Sequence, residues 1–140
     1  MLLALLATAF ACFALDQWTK RATLRRAADG PVLLGRLLKI EAVAHRKEAF
    51  SREGARRLLA LAWLAALAGA VLLLTFHDSF RAPAAGLGLA LALGGAAGNL
   101  ADILGRRCVV DFIDLGWWPV FNLADLGIVA GLLMAFWPVG

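Results

Sequence analysis

Three nearly uninterrupted apolar stretches, Leu58–Phe76, Pro83–Ala101 and Leu123–Val139, constrain this chain more than any other feature. Each is close to the roughly 20 residues that cross a bilayer as a helix. A fourth, Met1–Leu15, reaches that length if its helix continues through Trp18. Inside lipid each backbone N–H and C=O must be paired within the segment, so these stretches are expected to be helices. Ala9-Phe10-Ala11 has the look of a signal-peptide cleavage site. However, no basic residue precedes the stretch, and its pattern runs on through Asp16-Gln17-Trp18-Thr19-Lys20, which favours an uncleaved span. Composition agrees: 62% of residues are hydrophobic and 17% charged, against about 25% charged in an ordinary soluble domain. The expected architecture is an all-α membrane protein of four transmembrane helices, one domain over residues 1–140, with no internal repeat.

Four crossings place the end of span 1, the start of span 2, the end of span 3 and the start of span 4 on one side. The polar residues collect there: Asp16 and Lys20, Asn99 and Asp102, then Asp111, Asn122 and Asp125. The opposite side has the short turn His77–Arg81 and an uncharged carboxyl end. The function is therefore expected on one face. Of the 14 Lys and Arg residues, 11 lie between Lys20 and Arg57. A net charge of +4 would suit a nucleic-acid binder, but the apolar runs exclude that class, and phospholipid headgroups are the expected anionic neighbours. Within this basic connection, Val32–Ala44 mixes apolar and charged residues with partial alternation. It reads as a strand pair lying on the membrane surface. Ser51 is the expected N-cap of the helix entering span 2. Trp18, Trp117 and Trp118 lie at the polar ends of their spans and Trp137 near the other surface, as expected of indoles at headgroup depth.

The two cysteines, Cys12 and Cys108, and the two histidines, His45 and His77, have no metal-ligand spacing. Cys12 reads as a packing residue. Asp16 and Lys20 are spaced i, i+4 and share a helix face, as an anchoring ion pair or as organisers of a site. Gly94 and Gly98 have the small-xxx-small spacing that lets helices approach closely in lipid, whereas Asn99 is an amide that needs partners. Asn122 and Asp125 have the spacing of a helix cap and a first-turn carboxylate. Asp111 adds a second carboxylate, because the connection through Trp117-Trp118-Pro119 is long enough to fold it back beside Asp125. Two carboxylates about 4 Å apart at an effective dielectric near 20 repel by roughly 4 kcal/mol, enough for one to keep its proton near neutral pH. One ionised and one protonated carboxyl can activate water and protonate a leaving amide.

The segments DQWTK (Asp16–Lys20), GGAAGNLAD (Gly94–Asp102), VVDFID (Val109–Asp114) and FNLAD (Phe121–Asp125) resemble lipoprotein signal peptidase, or signal peptidase II, in order and position. The resemblance implies a four-helix aspartic endopeptidase of the bacterial inner membrane with a small β-cradle on the membrane surface. Such an enzyme removes signal peptides from prolipoproteins by cleaving before the diacylglyceryl-modified cysteine, without metal or cofactor. It implies Asp111 and Asp125 as the catalytic pair, with Asp16, Lys20, Gly95, Asn99 and Asn122 supporting or contacting substrate. Its partners would be the diacylglyceryl-modified prolipoprotein and membrane phospholipid, with no nucleic acid, and the protein would be a monomer with its active site toward the periplasm.

The chain departs from the pattern in two places. His45-Arg46-Lys47-Glu48 stands where the family usually has Asn-x-Gly-x, and Asp102-Ile103 stands for Asp-Arg, leaving Arg106 or Arg107 to replace that arginine. The density of Lys and Arg in Lys20–Arg57 would by itself place that loop in the cytoplasm, opposite to what the resemblance implies. Two other functions stay open at this level. One is a divergent relative that binds precursors without cleaving them. The other is a small transporter relaying protons, which calls for charge at mid-span rather than at span ends.

Overall fold

The computed structural model describes residues 1–26, 32–34, 38–45, 53–77, 80 and 82–137. Seven elements follow in order: α1 (Leu2–Arg26), β1 (Val32–Leu34), β2 (Leu38–His45), α2 (Glu53–Phe76), α3 (Pro83–Arg106), β3 (Val109–Asp114) and α4 (Leu123–Phe136). The first three helices are long and apolar enough to cross a membrane. The fourth apolar helix has 14 residues, about 21 Å at 1.5 Å per residue; it starts at Leu123 as expected, and Pro138 and Val139 at the end of the expected span lie outside the described residues. The spans expected from the sequence are thus present, with α1 continuing past Lys20 and α2 beginning before Leu58. Ser51 and Arg46-Lys47-Glu48 lie outside the described residues.

α3 is the central helix. Eleven of its residues are buried, six of them glycines and alanines between Ala85 and Ala92 or at Gly94, and α1, α2 and α4 all pack against it. Small residues are the reason. A Cβ added at Gly94 would collide with the Ala9 backbone of α1. One at Gly88 would lie 2.6 Å from the Gly131 carbonyl of α4, and one at Gly131 would meet the Gly88 carbonyl in turn. In lipid, where apolar surface gains little by leaving its solvent, such backbone-to-backbone approach is what holds helices together. At the end away from the polar residues, Ala70, Phe80, Ala85, Leu89 and Ala135 form the buried apolar cluster. Outward-facing large residues such as Leu3, Leu61, Val129 and Phe136 are exposed, as befits helices solvated by lipid. Trp18, Trp117, Trp118 and Trp137 are exposed too, and the Trp117 and Trp118 rings meet edge to face.

The expected strand pair is present but belongs to a three-stranded antiparallel sheet of order β1-β2-β3. Its third strand, β3, was not foreseen, although Val109–Asp114 alternates: Val110 and Phe112 are buried and their neighbours half-buried. Arg107, at φ 59°, adopts the left-handed conformation uncommon for residues with a side chain. It ends α3 and turns the chain into β3. The register of β2 on β3 shifts between Ile40 and Val43, a bulge next to the pair Val43–Asp111.

Candidate active site

Four elements bring the polar residues together. β3 carries Asp111, the start of α4 carries Asn122 and Asp125, α3 carries Asn99 and Asp102, and α1 carries Asp16, Gln17 and Lys20. The connection between β3 and α4 folds back as the sequence implied. The Ile113 N–H donates to the Phe121 carbonyl at 2.8 Å, and the Phe121 N–H returns a bond to the Ile113 carbonyl at 3.1 Å. This closes a loop around Trp117-Trp118-Pro119 and sets Asn122 against Asp111.

The first of two linked clusters is fully enclosed. Asp16, Lys20 and Asp102 are each 0% exposed. The Lys20 ammonium has three donors, and they go to Asp16 at 2.8 Å, Asp102 at 2.8 Å and the Asn99 amide oxygen at 2.9 Å. Asp16 accepts in addition from the Ala124 N–H at 2.9 Å, one of the unpaired donors that every helix leaves in its first turn. Asp102 pairs with the Arg106 guanidinium and accepts from the Val110 N–H at 3.3 Å. Burying unpaired ions costs several kcal/mol each. Here two carboxylates meet two cations, so the cluster is formally neutral.

The second cluster holds the other two carboxylates through amide donors. The Asn122 amide donates to Asp111 Oδ1 at 2.7 Å and to Asn99 Oδ1 at 3.1 Å. The Asn99 amide donates to Asp125 Oδ1 at 2.8 Å. Asp125 Oδ2 accepts the Asn122 backbone N–H at 3.1 Å, while the Asp125 N–H donates to Asn122 Oδ1 at 3.0 Å. This last exchange is a capping box. The helix-capping account of Asn122 and Asp125 is therefore correct as structure, and it coexists with their meeting Asp111 and Asn99. Asn122 is fully buried, whereas Asp111, Asn99 and Asp125 are half-buried, so the carboxylates lie at the open margin of the site.

Each of the seven residues singled out from the sequence is at this junction. Gly95 is there for space: a Cβ would collide with the Ala124 carbonyl at the start of α4. Gly98 serves α1 in the same way, since its Cβ would lie 2.5 Å from Asp16 Oδ2. Asp114 stands apart, exposing its carboxylate while accepting the Gly116 N–H at 2.8 Å. Three further participants stand here: Gln17 was assigned no part, Asp102 only a place on the polar side, and Arg106 only that of a replacement for the missing arginine. Gln17 donates to the Gly98 carbonyl at 3.1 Å and to Asp102 at 3.1 Å. Asp102 is the partner of Lys20, and Arg106 bonds both Asp102 and Gln17. The i, i+4 spacing of Asp102 and Arg106, and the placing of Gln17 beside Asp16, were the available signs. Cys12 packs as expected, its sulfur where a Gly127 Cβ would be.

A family model described as signal peptidase (SPase) II matches residues 8–139. A lipoprotein signal peptidase of Rhodococcus jostii (strain RHA1) is 40% identical over 109 residues, 73% of this chain and 54% of that protein. The namesake of Moorella thermoacetica is 61% identical over 51 residues, 36% of this chain and 34% of the relative. That of Caldicellulosiruptor bescii is 38% identical over 128 residues, covering 87% of this chain and 81% of its own. The match thus spans about half the Rhodococcus protein and a third of the Moorella one. Two solved structures, each described as a bacterial membrane enzyme determined by the in meso method, superpose with TM-scores of 0.75 and 0.76 at 24% identity. Both cover 93% of this chain, and 83% and 88% of theirs. They share its fold.

Proposed function

The chain belongs to the signal peptidase II family, and on that premise we propose that it is an aspartic endopeptidase removing signal peptides from prolipoproteins. Asp111 and Asp125 are the catalytic pair in this reading. The observation that carries it is the joining of both carboxylates to one amide pair, Asn99 and Asn122, at the open margin of an otherwise closed polar junction. Asp125 sits in the first turn of α4 and accepts two N–H groups, an environment suited to an anion. It takes the role of base, withdrawing a proton from water as the oxygen attacks the scissile carbonyl. Asp111, holding a proton, donates a hydrogen bond to that carbonyl oxygen and then supplies the proton that lets the amine leave. Neighbouring amides orient both groups and hold them through the cycle.

The substrate is a precursor carrying a diacylglyceryl-modified cysteine, cleaved on its amino-terminal side by one copy of the chain. The setting is the bacterial inner membrane, with the carboxylates toward the periplasm. Three long apolar helices support residence in a membrane, and the siting of all four polar helix ends on one face supports an active side. The test of activity is incubation of the purified protein with a diacylglyceryl-modified precursor peptide, with product termini read by mass spectrometry. Cleavage directly before the modified cysteine is expected; an uncut peptide would sink the reading. Orientation is tested with single cysteines at Trp117 and His77, in a chain lacking Cys12 and Cys108, and an impermeant thiol reagent on intact cells. Labelling at 117 and not at 77 is expected, and the reverse would place the active side in the cytoplasm.

A further inference from the structure

α1 and α2 both rest on α3, but among the described residues they hardly touch each other. Between them lies a cavity of about 420 Å³. Phe10 and Phe13 form one wall, Trp63 and Leu67 the other, and Leu93 and Ala97 the floor. The one indole N–H in this lining is satisfied internally, Trp63 Nε1 donating to the Leu93 carbonyl at 3.3 Å. The cavity therefore asks for an apolar occupant. A helix about 10 Å across displaces on the order of 1,200 Å³ over three turns, well beyond the space present. A single acyl chain is slender enough. The occupant is also separated from the carboxylates: Leu93, Gly94 and Ala97 face the cavity, while Gly95 and Asn99 face α4 on the far side of α3.

Arg56 supplies the second observation. It is seven residues before Trp63, so it lies on the same face of α2, two turns nearer the polar side. Its Nε is buried and has no hydrogen-bond partner, whereas its neighbour Arg57 is paired with Glu53. A buried guanidinium nitrogen left without an acceptor is costly, and a phosphate oxygen would satisfy it. The α2 lining of the cavity runs from Trp63 to Leu74, and Arg56 lies seven residues, about 10 Å along the helix, beyond its polar-side end.

We propose that the α1–α2 groove is a binding site for one resident phospholipid, its phosphate on Arg56 and one acyl chain descending past Trp63 toward Leu67. The site is distinct from the proposed peptidase centre and does not depend on that reading.

The experiment is native mass spectrometry of the whole protein released from detergent, titrated with phosphatidylglycerol or, separately, with diacylglycerol of the same chains. One phosphatidylglycerol per chain should persist, and diacylglycerol should be lost more readily. Arg56→Gln should weaken phosphatidylglycerol binding about tenfold, the worth of one charge-assisted hydrogen bond, and leave diacylglycerol unchanged. Ala97→Phe should weaken both by filling the groove, with Leu67→Trp as a second filler should the first not fold. Equal retention of both lipids, or phosphatidylglycerol binding indifferent to Arg56→Gln and to both fillers, would overturn the site. Stoichiometric displacement of the lipid by the precursor peptide would also overturn it, by assigning the groove to substrate.

Discussion

The two polar clusters share the bond between Lys20 and Asn99 and are otherwise opposites. Around Lys20 each negative group faces a cation, and Asp16, Lys20 and Asp102 are fully buried. Around Asn99 and Asn122 the carboxylates of Asp111 and Asp125 accept amide N–H groups and are only half-buried, at a margin open to the outside. Charge pairing fixes helices and suppresses reactivity, because a carboxylate held by a cation is a poor base. Amide donors fix position while leaving a carboxylate able to exchange a proton. The difference sets an enclosed clamp apart from the half-buried pair to which the proposed function gives the chemistry, even though both are built from aspartates.

The sharpest way to break that contrast is to remove the carboxylates of the proposed catalytic pair. Asp111→Asn and Asp125→Asn should each lower cleavage of a lipidated precursor by about a thousandfold or more, and the double variant should be little worse than either. Thermal unfolding in detergent should change little. If Asp125→Asn cleaves like the parent, Asp125 is a helix cap and nothing else. The reciprocal experiment is Lys20→Met, which leaves Asp16 and Asp102 buried against each other. Loss of about 3–5 kcal/mol is expected, the usual result of stripping one partner from a buried ion pair. Chemical denaturation in mixed micelles would measure it, and an unchanged midpoint would mean that the enclosed cluster is no clamp.

A smaller effect should come from the contact between clusters. Gly95→Ala drives a methyl into the Ala124 carbonyl and must push the start of α4 away from α3. About 1–3 kcal/mol of destabilisation is expected from such overpacking, with kcat reduced more than KM because Asn99 and Asp125 are drawn apart. A change confined to KM would show that the spacing serves substrate binding instead. Least should happen at Asp114, whose carboxylate only closes a turn on Gly116. Asp114→Asn should alter stability by less than about 0.5 kcal/mol and keep at least half of the cleavage rate. A large loss in that assay would add Asp114 to the reaction centre.

The helices were legible because lipid imposes a length and a composition that stand out in any apolar run. That Asp111, Asn122 and Asp125 form one cluster was legible because they are anomalous beside such runs. The strand carrying Asp111 was not, since six residues with two aspartates show alternation too briefly to separate from a loop. The clamp was half legible: the spacing of Asp16 and Lys20 gives their pairing, but nothing local joins Lys20 to Asp102, 82 positions later. Its link to Gln17 and Arg106 likewise exists only once α1 and α3 are packed. His45, where the family pattern begins to break, ends β2 opposite Val109, and Arg46-Lys47-Glu48 lie outside the described residues.

The reciprocal contact of Gly88 and Gly131 bears on how such a protein can change over generations. Each residue is blocked by the other helix's main chain, so a side chain acquired at one position finds no accommodating partner that a second mutation could shrink. The seam cannot drift by paired substitution, as ordinary cores do. It can only open, and opening it tilts the helix that carries Asn122 and Asp125 away from Asn99. Selection on the chemistry at one end of the bundle is therefore felt as an embargo on mass at the other.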